Sequence, residues 1–173
     1  MAIKHLSATL LAQVDATPIY TLGTEYCEET SAGDKKYKYI QYYGTTITTA
    51  GTYSIVVPNA ESNFNPTVYS SDKVNMVVDA IGSFTGIAIG ALTATNKYGF
   101  IQVEGPSHIR DSMPAGGITL GQKLISTAAG ADKTAQGTGT TTHVEGIFAI
   151  ASSAATGTTT NINIYLLGQG AGI

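Results

Sequence analysis

The sequence predicts an all-β domain: a compact β-barrel or sandwich built from two related four-strand units, with an extended N-terminal arm. Three observations carry this expectation. The stretch Tyr98-Gly99-Phe100-Ile101-Gln102-Val103-Glu104-Gly105 sets Phe100, Gln102 and Glu104 against Ile101 and Val103. That period of two is a strand with one buried and one wet face. A near copy, Tyr37-Lys38-Tyr39-Ile40-Gln41-Tyr42-Tyr43-Gly44, lies upstream, and repeats bear on the whole fold. Finally, only 12% of the 173 residues are charged, about half the usual share, while ten are Tyr and Thr and Gly abound. That composition suits β-structure and surface covered by other protein.

The repeat extends beyond the first copies. Thr49–Val57 is answered by the segment from Pro114 to Ile125. Phe84-Thr85-Gly86-Ile87-Ala88-Ile89-Gly90-Ala91 is answered by Val144-Glu145-Gly146-Ile147-Phe148-Ala149-Ile150-Ala151. The first unit then runs into Tyr98–Val103 and the second into Ile162–Leu167, so the two share the central strand. The length fits one domain that buries roughly 70% of its unfolded surface without disulfides. Residues 1–20 read as the arm and 21–173 as the single β-domain.

In chain order, the arm carries Ile3, Leu6, Leu10, Leu11 and Val14, spaced for a short helix or an irregular extended run. Thr17-Pro18 breaks any helix there, because the residue before Pro avoids the α region. Leu22–Cys27 and Lys36–Tyr43 form a hairpin over Thr30-Ser31-Ala32-Gly33-Asp34. Thr52–Val57 follows the turn at Ala50-Gly51. Pro58 to Asp72 is a long loop with Phe64 and Tyr69 as anchors, and a loop of that length is often a contact element. Lys73–Ala80 and Gly86–Ala91 are strands. Gly105-Pro106 ends the central strand, since Pro has no N–H for a ladder. A polar loop over His108–Met113 follows, then Ile118–Leu120, Lys123–Thr127, the near low-complexity run Ala128–Thr142, and the hairpin His143–Ser152 with Asn161–Leu167.

Little in the chain points to chemistry. The net charge of −3 argues against a nucleic-acid partner, which requires clustered Lys and Arg: beside the one cluster, Lys35, Lys36 and Lys38, sit Glu25, Glu28, Glu29 and Asp34. The three histidines are scattered, away from metal spacing. His108, Asp111 and Ser112 superficially suggest a triad, but triads are assembled from distant segments and no Gly-x-Ser-x-Gly elbow is present. Cys27, the single cysteine, sits among Glu25, Glu28 and Glu29, whose charges suppress a thiolate, and reads as a half-buried structural residue. Leu6–Ala12 is too short and too polar for a secretion signal, and Ala80–Asn96 is too short and Gly-rich for a membrane span. The expectation is therefore a non-enzymatic protein with no cofactor, metal, nucleic acid or membrane.

Leu22-Gly23-Thr24, Tyr37–Gln41, Thr49-Ala50-Gly51, Tyr98–Gly105, Gly121-Gln122-Lys123-Leu124, Ala129-Gly130 and Glu145-Gly146-Ile147-Phe148-Ala149 together resemble the head decoration, or cement, proteins of tailed bacteriophages. The resemblance spans roughly residues 20–167, outside the arm and the Asn59–Asp72 loop. It implies a structural protein on the outside of an expanded capsid, made in the host bacterial cytoplasm. Its partners would be the major capsid protein and itself, as a trimer sooner than a dimer. It implies no catalytic residues. Ile3, Leu6, Leu10, Leu11, Val14, Phe64 and Tyr69 are the expected interface residues. Two other readings stand beside it. One is a tail-tube, fibre or baseplate β-domain, with Tyr42, Tyr43 and Tyr53 as sugar-stacking candidates in a fibre tip. The other is a small β-barrel ligand binder or enzyme.

Overall fold

A computed structural model describes residues 6–42, 54–58, 73–75, 86–93, 95–111, 117–126, 135–137, 147–154 and 160–168. They form a short helix, α1 (Ala8–Ala12), and eleven strands. The strands are β1 (Val14–Asp15), β2 (Glu25–Glu28), β3 (Lys35–Tyr42), β4 (Ser54–Pro58), β5 (Lys73–Asn75), β6 (Gly86–Ala88), β7 (Tyr98–Asp111), β8 (Lys123–Ser126), β9 (Ala135–Gly137), β10 (Ile147–Ala151) and β11 (Thr160–Leu167). The fold is all-β. All strands belong to one sheet in the order β2-β3-β5-β4-β6-β7-β11-β10-β8-β9, with β1 paired to β7. A further pairing joins β3 directly to β7. Among the described pairings the sheet as a whole is not closed into a barrel, its path ending at β2 and β9, but the pairings β3–β5–β4–β6–β7–β3 return on themselves within the first unit. Among the described pairs only β3–β5 is parallel.

The internal repeat is visible in the pairing scheme. In the first unit β3 pairs with β7, β4 with β6, β6 with β7 and β4 with β5. In the second, β7 pairs with β11, β8 with β10, β10 with β11 and β8 with β9. The correspondence is strand for strand, and every one of these pairs is antiparallel. Each unit holds one strand more than the sequence pattern suggested. β9 is the less expected, because it arises within the low-complexity run. Tyr39 and Phe100, at equivalent positions, lie in one buried cluster, and Ile40 and Ile101 in another.

β7 is the shared strand, but it neither ends at Gly105 nor leaves one face wet. It continues through Pro106 to Asp111, paired over its second half with β11 from Glu104↔Leu167 to Asp111↔Thr160. The segment His108–Asp111 is therefore strand and not loop. From Gly105 onward β11 is the only described strand paired with β7. A strand with one partner uses alternate N–H groups, which leaves a place for Pro106. Gly105 has φ +92°, and a Cβ there would run into the Asp34 carbonyl oxygen. Buried Gln102 spans the bend: its Nε2 donates to the carbonyls of Glu104 (3.1 Å) and Pro106 (2.9 Å). Those bonds occupy acceptors that a bent strand would otherwise leave unpaired.

Both faces of the first half of β7 are covered. Ile101 and Val103 pack with Ile40, Tyr42, Ala88 and Leu92. On the other side Phe100 packs with Tyr26, Tyr37 and Tyr39 and with Leu6 and Leu11 of the N-terminal segment. The rings of Tyr39 and Phe100 meet edge-on at 5.1 Å, and Tyr20 closes on both at 5.3 and 5.5 Å, arrangements that aromatic quadrupoles favour. Burial pushes the Tyr39 hydroxyl above its ordinary pKa, and that hydroxyl accepts the Ile19 N–H. The second unit has its own core of Ile118, Leu124, Ala149, Ile162, Ile164 and Leu166, joined by Ile87 from the first.

Two substitutions test this account. Gly105→Ala is expected to destabilise the protein by about 1–3 kcal/mol from backbone strain alone, and more from the Asp34 clash. A urea midpoint equal to wild type would refute the bend as described. Leu11→Ala should cost about 2–5 kcal/mol, as for other buried Leu. An unchanged midpoint there would mean that the N-terminal segment does not belong to the core.

Candidate interaction surface

Of the interface residues expected from sequence, Leu6 and Leu11 are buried in the aromatic cluster, and Val14 packs against the cluster on the opposite side of β7. Leu10, on the outer side of α1, is 39% exposed. Ile3, Phe64 and Tyr69 lie outside the described residues. The described part of the arm thus lies along its own sheet. Ser7 caps α1, its side chain accepting from the Leu10 N–H, and Leu6 O accepts from the Tyr26 hydroxyl. β1 then pairs with the start of β7 through Val14↔Gly99 and Asp15↔Tyr98.

The second unit presents a different surface. β11 alternates strictly: Ile162, Ile164 and Leu166 are buried, while Asn163 and Tyr165 are exposed. Directly paired residues share a side of a sheet. The register therefore lines up Pro106, Tyr165, Ile150 and Lys123 across β7, β11, β10 and β8. Beside this row His108 stands opposite Asn163. The β2–β3 turn closes one end: a Cβ on Gly33 would lie 3.6 Å from Pro106 Cδ and 3.8 Å from Tyr165 Cε2. Next to the row, the Thr119–Gln122 turn is held to β10 by Gly121 N–H to Ala151 O (2.8 Å) and Ala151 N–H to Gln122 O (2.9 Å). A further bond from the Thr119 N–H to Gln122 Oε1 (2.9 Å) braces it. At its tip Leu120 is 70% exposed. Apolar groups held this rigidly lose little conformational entropy when they are covered.

Nothing in the sequence singles out Tyr165 or Leu120. Strand alternation would have marked Tyr165 as outward-facing, but the row it belongs to needs the register of four strands.

Two charged groups nearby pair with each other. Lys36 Nζ and Glu104 Oε2 are 2.9 Å apart, and this bond raises the Lys36 pKa. Both side chains are about two-fifths exposed, so the pair contributes ~0–1 kcal/mol. Cys27 is exposed, not half-buried, because β2 turns Tyr26 inward and its neighbours outward. Glu25 and Cys27 on this end strand face solvent, and charge there discourages strand addition. Tyr42 is buried, which removes it from the set of sugar-stacking candidates; Tyr43 and Tyr53 lie outside the described residues. Among the described residues no group of three or more His, Cys, Asp or Glu side chains is placed to hold a metal ion. No helix among them is long and apolar enough to cross a membrane.

No family model matches the chain, and no curated protein matches it. Among solved structures, the chain is similar to the N base of the head fiber gp8.5 of bacteriophage phi29. The identity is 11% and the TM-score 0.46, with 75% of this chain and 92% of that chain covered. At that identity and score the likeness assigns neither family nor function.

His108 provides a pH test of the surface. Burial, and then the charge of Lys35, lower its pKa. Below its ordinary value near 6.5 the unfolded chain therefore binds the proton more readily than the folded one. The stabilisation is complete above about pH 6.5 and is lost as pH falls through the lowered folded value. His108→Gln should flatten the stability difference between about pH 7.5 and about pH 5 relative to wild type. Parallel curves for the two proteins would show that His108 is not desolvated.

Proposed function

We propose that this protein is a non-enzymatic structural component of a bacteriophage virion. In this reading it decorates the outside of the capsid and stabilises it by bridging major capsid protein subunits. The observation that carries the reading is the rigid, partly apolar row of Pro106, Tyr165 and Ile150, with Leu120 on its braced turn beside it. Such a surface suits a protein that works by being covered. A specific contact buries about 1,000 Å² or more, with aromatic anchors near its centre. Three further features agree: sparse charge, the resemblance of Tyr98–Gly105 and its companion motifs to phage head decoration proteins, and a doubled β-unit that supplies a stiff body. Self-association as a trimer belongs to the same reading, since closed symmetric oligomers are the usual form and a shell offers three-fold positions.

A second reading, a fibre, tail-tube or baseplate β-domain, uses the same surface against a different neighbour. Co-sedimentation separates the two. Purified protein is mixed with isolated heads and isolated tails of the phage that encodes it. Retention on heads, lost in Tyr165→Asp and Leu120→Asp while the melting temperature holds, is the expected outcome. Retention on tails alone would move the protein to the tail. Retention on neither would reject a virion role.

A further inference from the structure

The N-terminal segment sits in a slot shaped for a backbone. Gly90 and Gly99 form its walls. A Cβ on Gly90 would come within 2.6 Å of Ala12 O and 2.8 Å of Val14 Cγ1, and one on Gly99 within 3.2 Å of Gln13 O. Beyond the slot, Leu6 and Leu11 fill a socket lined by Tyr26, Tyr37, Tyr39 and Phe100. The segment is thus a separate plug in a receptor of matching shape.

Its ladder attachment to the sheet is short, and side-chain packing in the socket supplies the rest. β1 is two residues long. Asp15 Oδ2 is buried without a hydrogen-bond partner among the described residues, a cost incurred while the segment is seated. The connection Ala16–Ile19 is exposed throughout and contains Pro18, and the bond from the Ile19 N–H to Tyr39 OH marks its end. A terminal segment held by so short a ladder can open as a unit without unfolding the sheet. Opening, however, bares the aromatic socket, and that socket has to be covered again. The segment whose backbone fits between Gly90 and Gly99, and whose Leu6 and Leu11 fit the socket, is this one. Every copy of the chain carries it.

We propose that the slot is an interaction site for the N-terminal segment of a second copy, so that neighbouring molecules exchange residues 6–15. Exchange reproduces every contact of the closed monomer, and its net cost is therefore low. Four connecting residues reach at most about 14 Å, so the copies that exchange must be immediate neighbours in a reciprocal pair or a closed ring. This proposal does not depend on the virion reading and is tested on the purified protein alone.

The test traps the seated segment by disulfide formation in full-length chains carrying Cys27→Ser. The ladder pair Val14↔Gly99 is suitable, because a Cβ at 99 lies 3.4 Å from Val14 Cγ1. One chain carries Val14→Cys and the other Gly99→Cys. They are mixed at high concentration without denaturant and oxidised. The expected result is a linked species of twice the chain mass whose proteolytic fragments join positions 14 and 99. A single chain carrying both substitutions, oxidised at high dilution where copies do not meet, is the control and should close on itself. Closure in that control with no 14–99 link between the separate chains would overturn the proposal. Failure of the control would overturn the seating on which it rests. Asp15→Cys with Tyr98→Cys, the adjacent ladder pair, repeats the test without adding a side chain at Gly99.

Discussion

One strand has to serve two units, and the backbone at Gly105 is the constraint that makes this workable. Before it, β7 is paired with β1, β3 and β6; from Glu104 onward it is paired with β11. The transition needs a positive φ and room for Asp34 O where a Cβ would stand. Only glycine meets both demands without strain. Gln102 belongs to the same device. Its amide serves two carbonyls across the bend, so the strand changes neighbours while those part-buried acceptors stay paired.

The hydrophobic effect then organises what lies around β7. A strand buried on both faces needs cover on both, and the sheet supplies it on the side of Ile101 and Val103. On the side of Phe100 the cover is the β2–β3 hairpin together with residues 6–22. That explains the density of tyrosine here. Tyr20, Tyr26, Tyr37 and Tyr39 fill a large volume while keeping a hydroxyl that can reach the backbone, as Tyr26 does to Leu6 and Tyr39 to Ile19. β11, by contrast, keeps a half-wet alternation and leaves Tyr165 partly exposed.

The described residues present two kinds of apolar feature. The N-terminal segment is apolar and seated on its own sheet. The row through Tyr165 and the turn at Leu120 are stiff and preformed, suited to a neighbour. The chain's sparse charge fits surfaces meant to be covered.

The sequence by itself determined that the protein is all-β, that two related units share the strand at Tyr98, and where most strands lie. Period-two alternation and the repeat are local properties that survive without knowledge of any partner strand. It also determined the apolar character of Leu6, Leu11 and Val14, though not which surface they would cover. Tertiary structure decided the rest. Pro106 and the polar run His108–Asp111 read locally as a stop and a loop, yet eight residues of β11 hold them in the ladder. Phe100 and Gln102 read as wet, yet the N-terminal segment and the bend bury them. The row from Pro106 to Lys123 draws one residue from each of four strands, so no single stretch of sequence contains it. Pairing register between distant segments sets which side chains share a surface, and register depends on the whole sheet.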